Sequence, residues 1–349
     1  MTVAAPIVDV HAHAVVPAAE SLAAGHPGHA QQQRRDARWF GEAATAVNRQ
    51  QLSRLAPLLT DVGRRFEAMD RARVDVQLVA PMPFSYPWAD EELAARLFSA
   101  TNEGMADLAG THPDRLVGVG TVALHHPELA VRQLEACVGE LGLRGIQIGT
   151  MAGEWGLDHL ALADFWARAE QLGALVIVHP WGCTLGDRLA DYYLANTVGN
   201  PVETTVALSR LIFSGLLDRH PGLDICLVHG GGYLPTYIGR SDHAWQVRPD
   251  AHTCELPPSA YLHRLWFDSL VYSPAGLRSL VDAVGADRVL LGSDYPFDMG
   301  VPDPVDRLEA AGLDAATVAA IAGGNAARLG VVSAADKPLR GGRTTGVSP

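Results

Sequence analysis

The sequence predicts a parallel (β/α)8 barrel, or TIM barrel, with an insertion between its first and second strands. Three observations support this fold class. Eight short β-rich runs alternate with helical patterns along the 349 residues, several runs are apolar throughout, and no G-x-G-x-x-G motif follows the first run. Strands buried on both faces of a parallel sheet are typically apolar along their length. Eight strand–helix units favour a closed barrel over the alternative, a doubly wound open sheet.

Helical patterns follow the predicted strands in chain order. The strands are predicted at 7–13, 74–81, 116–124, 144–150, 175–180, 224–230, 265–270 and 288–294. Helical stretches follow them, for example at 91–109, 127–141 and 158–172. Pro127 suits the first turn of its helix, and Gly173 suits a helix end.

A long segment separates the first two strands. Residues 14–60 contain Pro, Gly, Gln and Arg without clear periodicity. We interpret this segment as an insertion at the barrel mouth that forms a lid or contacts substrate. The sequence thus predicts one barrel domain over residues 1–330, followed by a flexible C-terminal tail over 331–349.

Composition narrows the classes of function. The formal net charge of −12 disfavours a nucleic-acid partner, because an acidic surface repels phosphate backbones. The apolar runs are far shorter than the ~20 residues of a membrane helix. Four separated cysteines without a C-x-x-C pair predict free thiols in a reducing, cytoplasmic compartment. Lys337 is the single lysine, which disfavours a Schiff base, a pyridoxal phosphate anchor and a phosphate-loop Lys.

Polar side chains stand at the C-terminal ends of four predicted strands, where barrel enzymes place their active sites. They are His11 and His13 on the first strand, His179 on the fifth, His229 on the sixth and Asp294 on the eighth. Because strand side chains alternate between faces, Asp9 is predicted to point the same way as His11 and His13. Asp9 is therefore expected to orient a ligand histidine.

This combination of imidazoles and a carboxylate suits a divalent metal. The predicted ligands are His11, His13, His179 and Asp294, around one zinc ion, with manganese or cobalt as alternatives. We assign His229, together with Asp294, to the catalytic centre, since a histidine pKa near 6.5 suits proton transfer at neutral pH. Each residue alone has an ordinary explanation, such as a core histidine or a turn-forming aspartate. Their coincidence at strand ends favours the metal site.

The motifs VDVHAH, VHPW, HGGG and GSDYPF resemble the metal-dependent amidohydrolase superfamily, and more narrowly its aminocarboxymuconate-semialdehyde decarboxylase (ACMSD) group. The resemblance runs from about residue 7 to residue 330. It implies one zinc ion held by the four predicted ligands, with His229 as the acid/base. Many amidohydrolases bridge two metals with a carbamylated lysine at the end of strand four. Here that strand ends in Gln147-Ile-Gly-Thr, which favours the mononuclear branch.

The resemblance also implies arginines that hold substrate carboxylates. Arg240 matches the position that the family supplies from a neighbouring subunit, which implies a homodimer; a surface arginine is the alternative. The second arginine is expected in the insertion, at Arg49 or Arg54, and we favour Arg54. Trp181 and Tyr193 are candidate pocket residues, although ordinary packing explains Trp181 equally well. The family decarboxylase often has Trp near the position of Tyr193, which points to a different substrate here.

The expected activity is non-oxidative decarboxylation of a small unsaturated or aromatic carboxylic acid, without an organic cofactor. The alternative is a metal-dependent hydrolase of an amide, lactone or cyclic imide, or a hydratase. A zinc-stabilised binding protein is disfavoured because structural zinc sites are usually closed and rich in cysteine. The roles of His125, His126 and Asp268, which lie near strand ends, stay open.

Overall fold

Eight parallel strands of the computed structural model, which describes residues 5–83 and 86–332, close into a barrel. The strands are β1 (Val8–Ala14), β2 (Val76–Pro81), β3 (Leu116–Gly118), β4 (Gly120–Thr121), β5 (Gly145–Ile148), β6 (Met151–Ala152), β7 (Trp155–Gly156), β8 (Leu175–Val178), β9 (Asp224–Leu227), β10 (Trp266–Asp268) and β11 (Val289–Leu290). β3 and β4 are two parts of the third barrel strand, and β6 and β7 form an antiparallel hairpin outside the barrel.

The barrel strands pair in the order β1, β2, β3/β4, β5, β8, β9, β10 and β11. Every pairing in this series is parallel. The chain segment after β11 closes the ring onto β1, since the Val10 amide donates to the Leu291 carbonyl at 2.8 Å and Ala12 bridges Tyr295. The predicted TIM barrel is confirmed.

Helices connect successive strands and cover the outside of the barrel. They are α1 (Pro17–Ala23), α2 (Pro27–Thr60), α3 (Val62–Arg71), α4 (Glu91–Gly110), α5 (Pro127–Glu135), α6 (Ala163–Leu172), α7 (Asn200–Phe213), α8 (Leu216–Arg219), α9 (Leu234–Tyr237), α10 (Gly239–Val247), α11 (Pro258–Leu262), α12 (Pro274–Val284), α13 (Pro304–Glu309), α14 (Ala315–Ala319) and α15 (Asn325–Arg328). Gly173 ends α6 with φ of 58°, as its position predicts.

Two hydrophobic cores follow from the alternation of strand residues. Val176 and Val178 of β8 pack with helix residues in the larger core between the strands and the outer helices. Leu175 and Ile177 belong to a second core that consists mainly of strand residues and fills the barrel. His179 continues this inward series, so its ring lies inside the barrel mouth.

The insertion between β1 and β2 is helical. α2 spans 34 residues, yet only Leu55 and Leu59 along it are buried, which explains why the sequence shows no clear periodicity there. Gly41 interrupts α2 with φ of 77°. A Cβ at Gly41 would lie 1.7 Å from the Ala190 carbonyl oxygen, so the helix kinks where it meets the segment after β8.

The C-terminal boundary of the barrel lies beyond the predicted residue 330. Val331 and Val332 are buried in the inner core, which corrects the predicted start of the tail at 331. Arg144 holds this end of the chain by donating to the Gly330 carbonyl at 3.1 Å. The rest of the predicted tail, residues 333–349, lies outside the described residues.

All four cysteines are free and buried, as expected for thiols without disulfide partners. Among the residues that the structure describes, no helix is both long enough and apolar enough to cross a bilayer.

Candidate metal centre

The four predicted ligands meet at the mouth of the barrel. His11, His13, His179 and Asp294 each offer one ligating atom, and these atoms lie within 4.8 Å of one another. All four side chains are buried. The Nε2 atoms of the three histidines and Oδ1 of Asp294 have no hydrogen-bond partner among the described residues. Buried polar atoms are normally satisfied, so four such atoms facing one point can hold a cation.

The second nitrogen of each clustered imidazole is anchored. Nδ1 of His11 donates to Oδ2 of Asp268 at 2.7 Å. Nδ1 of His13 donates to the Pro81 carbonyl at 3.2 Å, and Nδ1 of His179 donates to the Pro180 carbonyl at 2.8 Å. Because all three acceptors need the proton on Nδ1, each Nε2 presents a lone pair to the cluster.

The buried carboxylates of Asp268 and Asp294 favour positive charge at the point where the histidine rings converge. Burial opposes ionisation of Asp268 and Asp294, but the neighbouring histidines outweigh it and hold the pKa of both carboxyls below its ordinary value. Burial likewise opposes protonation of His11, but the two carboxylates raise its pKa to about 9. Burial lowers the pKa of His13 and His179. Two neutral imidazoles, together with carboxylates that favour a positive charge at His11, suit a divalent cation, which would replace the second proton of the His11 ring.

His229 stands beside the cluster. Its Nε2 lies 3.7 Å from Oδ2 of Asp294, and its ring centroid lies 5.2 Å from those of both His11 and His179. Its backbone is left-handed, with φ of 54°, and Gly230 follows with φ of 61°. A side chain at Gly230 would meet Val271 at 2.4 Å, so this turn needs glycine.

Asp294 reaches the cluster through a turn after β11. The predicted strand over 288–294 ends early, at Leu290, because the chain leaves the strand to place this residue. Asp294 has φ of 58°, and its amide donates to the His11 carbonyl at 2.7 Å. The backbone of one ligand thus fixes the backbone of another.

Asp9 contacts the backbone of a predicted ligand rather than its ring, since Oδ1 of Asp9 accepts from the His11 amide at 3.1 Å. The pairing of β1 with β2 shifts between Asp9 and Ala12, as in a β-bulge, and such a shift breaks the simple alternation of side chains. Asp9 accepts hydrogen bonds from Gln77 Nε2 at 2.9 Å and from Ser293 Oγ at 2.5 Å. Asp268 holds the ring of His11 in its place.

A further buried network supports His13 from outside the cluster. Arg65 of α3 donates to the His13 carbonyl at 2.6 Å and to Gln77 Oε1 at 2.7 Å. The Arg65 side chain is only 2% exposed and lies over the ring of Tyr295, 4.9 Å from its centroid. α3 therefore braces the strand ends that carry the cluster.

The predicted pocket residues Trp181 and Tyr193 both contact α2. The ring of Phe40 in α2 lies 5.9 Å from that of Trp181 and 6.3 Å from that of Tyr193. A cavity of about 130 Å³ lies beside Trp181, between α2 and the strand ends. Burial, reinforced by the carboxylates of Asp298 and Asp294, raises the pKa of Tyr193 to about 12.

The predicted arginines are both exposed. Arg54 lies on α2 between Gln51 and Leu58, which both contact the loop after β11. Gln51 donates to Asp298 Oδ2 at 2.9 Å. The Leu58 carbonyl accepts from Tyr295 Oη at 3.2 Å. This face of α2 therefore lies over the loop after β11. Arg240 lies on α10. It forms no hydrogen bond or ion pair with the clustered residues or with any other described residue of its own chain.

The structure adds three residues that the sequence left unassigned or missed. Asp268 holds His11, and the ring of Phe297 lies 5.5 Å from that of His13. Burial raises the pKa of Tyr272, with added effects from the Asp294 and Asp268 carboxylates. The C-terminal end of strand seven was the signal for Asp268, and Phe297 is the last residue of the GSDYPF motif. Tyr272 lies in a loop that no pattern distinguishes.

His125 and His126 lie on the third strand's side of the mouth. Both Nε2 atoms contact the Ala89 carbonyl, at 3.3 Å and 3.0 Å, so the pair holds the loop after β2.

Comparison with known proteins agrees with this geometry. The Amidohydrolase family model matches residues 8–329. The 2-amino-3-carboxymuconate-6-semialdehyde decarboxylase of Dictyostelium discoideum is 37% identical over 249 residues, covering 70% of this chain and 69% of that protein. The Caenorhabditis elegans protein of the same name is 30% identical over 356 residues. The alignment covers 84% of this chain and 86% of the Caenorhabditis elegans protein.

Solved structures of decarboxylases share the fold. The 5-carboxyvanillate decarboxylase from Sphingomonas paucimobilis has a TM-score of 0.79 at 27% identity, covering 93% of this chain and 98% of its own. The 5-carboxyvanillate decarboxylase from Novosphingobium aromaticivorans was solved with manganese and 4-hydroxy-3-methoxy-5-nitrobenzoic acid. It has a TM-score of 0.77 at 25% identity, and the match covers 93% of this chain and 96% of that enzyme. The chain therefore belongs to the amidohydrolase family, and the relatives and solved structures described above are decarboxylases, that is, carboxy-lyases.

Proposed function

We propose that this protein is a metal-dependent, non-oxidative decarboxylase of a small unsaturated or aromatic carboxylic acid. The observation that carries the proposal is the convergence of four unpartnered ligating atoms within 4.8 Å, with the free imidazole of His229 beside them. The decarboxylase relatives support the same reaction class.

The residues that would hold the metal are His11, His13, His179 and Asp294. Their nitrogen and oxygen atoms fit zinc, which we propose as the native ion, and manganese or cobalt suit the same ligands. When bound, the ion supplies a Lewis acid that polarises a substrate oxygen or an adjacent water. No organic cofactor is needed.

His229 is the proposed proton donor. When the C–C bond to the carboxylate breaks, its electron pair stays on the substrate carbon that carried the carboxylate and CO2 leaves. This substrate carbon must therefore receive one proton. Nε2 of His229 lies 3.7 Å from Oδ2 of Asp294, and this carboxylate oxygen can orient a protonated imidazole. Asp294 therefore takes part in catalysis as well as in the ligand set.

Two arginines are proposed to hold substrate carboxylates. Arg54 lies on the face of α2 that covers the loop after β11, close to Asp298. A guanidinium presents a planar pair of donors that matches a carboxylate. Trp181 and Tyr193, packed against Phe40 of the same helix, would line the pocket, with the insertion as its lid.

Arg240 is proposed to reach the active site of a neighbouring subunit in a homodimer. α10 has no buried residue, and large apolar side chains are exposed around it. They are Val247 on α10 itself and, shortly before it in the chain, Tyr233 and Tyr237. An exposed group of this kind marks a contact surface, and a two-fold axis would place both copies of Arg240 symmetrically.

We also propose that the enzyme works in the reducing environment of the cytoplasm, because its four cysteines are unpaired. Its partner is a small carboxylic acid, and neither a membrane nor a nucleic acid is expected to bind.

The proposal is tested by metal analysis of the purified protein together with a CO2-release screen. The screen covers muconate-like acids and hydroxybenzoates, and a parallel panel contains lactones, amides and cyclic imides. We expect one metal ion per subunit and CO2 from at least one acid. Ring opening of the second panel, or addition of water to an alkene, without CO2 from any acid would favour a hydrolase or hydratase instead.

A further inference from the structure

Asp268 uses its two carboxylate oxygens for different contacts. Oδ2 accepts from His11 Nδ1 at 2.7 Å. Oδ1 accepts from the Gly230 amide at 2.8 Å and from the Leu270 amide at 3.2 Å. The side chain is completely buried, so water does not compete for either oxygen. One carboxylate thus joins a predicted ligand to the turn that carries His229.

His11 differs in this respect from the other two clustered histidines. The rings of His13 and His179 are held by the backbone carbonyls of Pro81 and Pro180. Among the described residues, the Nδ1 atom of His11 alone of the three is held by a side chain, and that side chain is a carboxylate. A carboxylate partner makes the opposite nitrogen of an imidazole a stronger electron donor, and such partners contribute strongly to metal affinity.

We propose that Asp268 is a positioning residue with two separable roles: it fixes the ring proton of His11 on Nδ1, and it anchors the turn that places His229. The inference rests on the proposed function, because it concerns the same centre. Asp268 itself contacts neither Nε2 of His11, which is expected to bind metal, nor Nε2 of His229, which is expected to transfer a proton.

Replacement by asparagine separates these roles. The Gly230 and Leu270 amides are both donors, so the amide oxygen of Asp268→Asn must face them. The NH2 group then faces His11 Nδ1, which must accept a hydrogen bond and therefore moves its ring proton to Nε2. The proton on Nε2 then uses the His11 lone pair that would otherwise bind the metal. The opposite amide orientation would set NH2 against two backbone donors and release the turn.

Metal affinity is the first measurement. Wild type, Asp268→Asn and Asp268→Ala are stripped with a chelator and titrated with Zn²⁺ in competition with a chromophoric indicator. Asp224→Asn is the matched control, because Asp224 lies at the opposite end of β9 and accepts from Trp266 Nε1 at 3.0 Å, a bond that asparagine can keep. We expect both Asp268 variants to bind Zn²⁺ about 10–100-fold more weakly than wild type, and Asp224→Asn to match wild type.

Two further readouts distinguish positioning from loss of fold. Circular dichroism should show a cooperative melt for every variant. At a pH above the raised pKa of His11, where its ring carries one proton, ¹⁵N NMR of the stripped protein should show that proton on Nδ1 in wild type and on Nε2 in Asp268→Asn. At saturating Zn²⁺, kcat for CO2 release should fall further in Asp268→Ala than in Asp268→Asn, since only alanine releases the Gly230 amide.

Wild-type Zn²⁺ affinity in a folded Asp268→Asn protein, or an unmoved ring proton, would overturn the first role. Equal kcat values for the two Asp268 variants at saturating Zn²⁺ would overturn the second. Failure of the wild-type protein to bind Zn²⁺ or Mn²⁺ would instead contradict the proposed function, so the two failures are distinguishable.

Discussion

His229 stands near the ligand cluster because its backbone turns left-handed at the end of β9. Its role as a proton donor, rather than a ligand, leads to a first prediction. His229→Ala should lower kcat about 100–10,000-fold, the range typical for loss of a general acid, while each subunit keeps one metal ion. CO2 release and metal content measure the two quantities on the same sample. His179→Ala is the control and should lose the ion; loss of the ion from His229→Ala would make His229 a ligand.

His125 gives a prediction about pH. Burial, together with the neighbouring ring of His126, lowers its pKa to about 4 from an ordinary value of 6.5. Between these two values the unfolded chain binds a proton at His125 that the folded chain does not, so stability falls as pH falls through this window. From pH 7 to pH 5, wild type should lose on the order of 1 kcal/mol more unfolding free energy than His125→Gln.

Urea unfolding of both proteins at several pH values measures this difference. Parallel stability curves for wild type and His125→Gln would show that the His125 ring does not resist protonation in the folded chain.

At the residue scale, the sequence predicts the clustered side chains but not everything that orients them. His11, His13, His179 and Asp294 follow from one rule, that barrel sites lie at the C-terminal ends of strands. Asp9 holds the backbone of His11 rather than its ring, because the pairing of β1 shifts between Asp9 and Ala12, and this shift leaves no trace in the alternation of residue types. Asp268 obeys the same strand-end rule, but its bond to His11 depends on two strands 257 residues apart.

Helix α2 carries the next prediction, at the scale of one element. Arg54→Ala should lower kcat/KM about 10–100-fold, mainly through KM, because a charged hydrogen bond to a carboxylate contributes about 1.5–3 kcal/mol. Arg49→Ala is the matched control: it is also exposed on α2 but points about 140° away around the helix. Steady-state kinetics on the substrate found by CO2 release test both variants.

A large loss in Arg49→Ala with little effect of Arg54→Ala would reverse the assignment and favour the other arginine of the insertion.

Elements buried on a regular pattern were the most predictable. Seven of the eight barrel strands lie within the predicted runs, and β1 extends one residue beyond its run, to Ala14. Their apolar residues indicate burial on both faces. Their ends were less predictable: the third strand divides at Val119, and the eighth ends at Leu290 so that Asp294 can turn inward. α2 was not predicted as a helix, because its largely exposed surface imposes no apolar period.

At the scale of the whole molecule, Arg240 tests whether the working enzyme is a dimer. If Arg240 serves the neighbouring subunit, His229→Ala and Arg240→Ala proteins should each be nearly inactive alone. Co-expression of the two should restore about a quarter of wild-type activity, since half of randomly paired dimers are hybrids with one intact site of two. His229→Ala co-expressed with His179→Ala is the control and should restore nothing.

Full activity of the Arg240→Ala protein by itself would show that Arg240 has no role in substrate binding. No recovery in verified hybrid dimers would place its action within its own subunit.

The central claim is that distant strand ends converge on one cation, and anomalous diffraction from a crystal of the metal-loaded enzyme tests it most directly. Data collected at the absorption edge of the bound metal should show one peak per subunit. We predict that this peak lies about 2.0–2.2 Å from Nε2 of His11, His13 and His179 and from Oδ1 of Asp294. A peak elsewhere, or a second peak within the barrel mouth, would contradict the account.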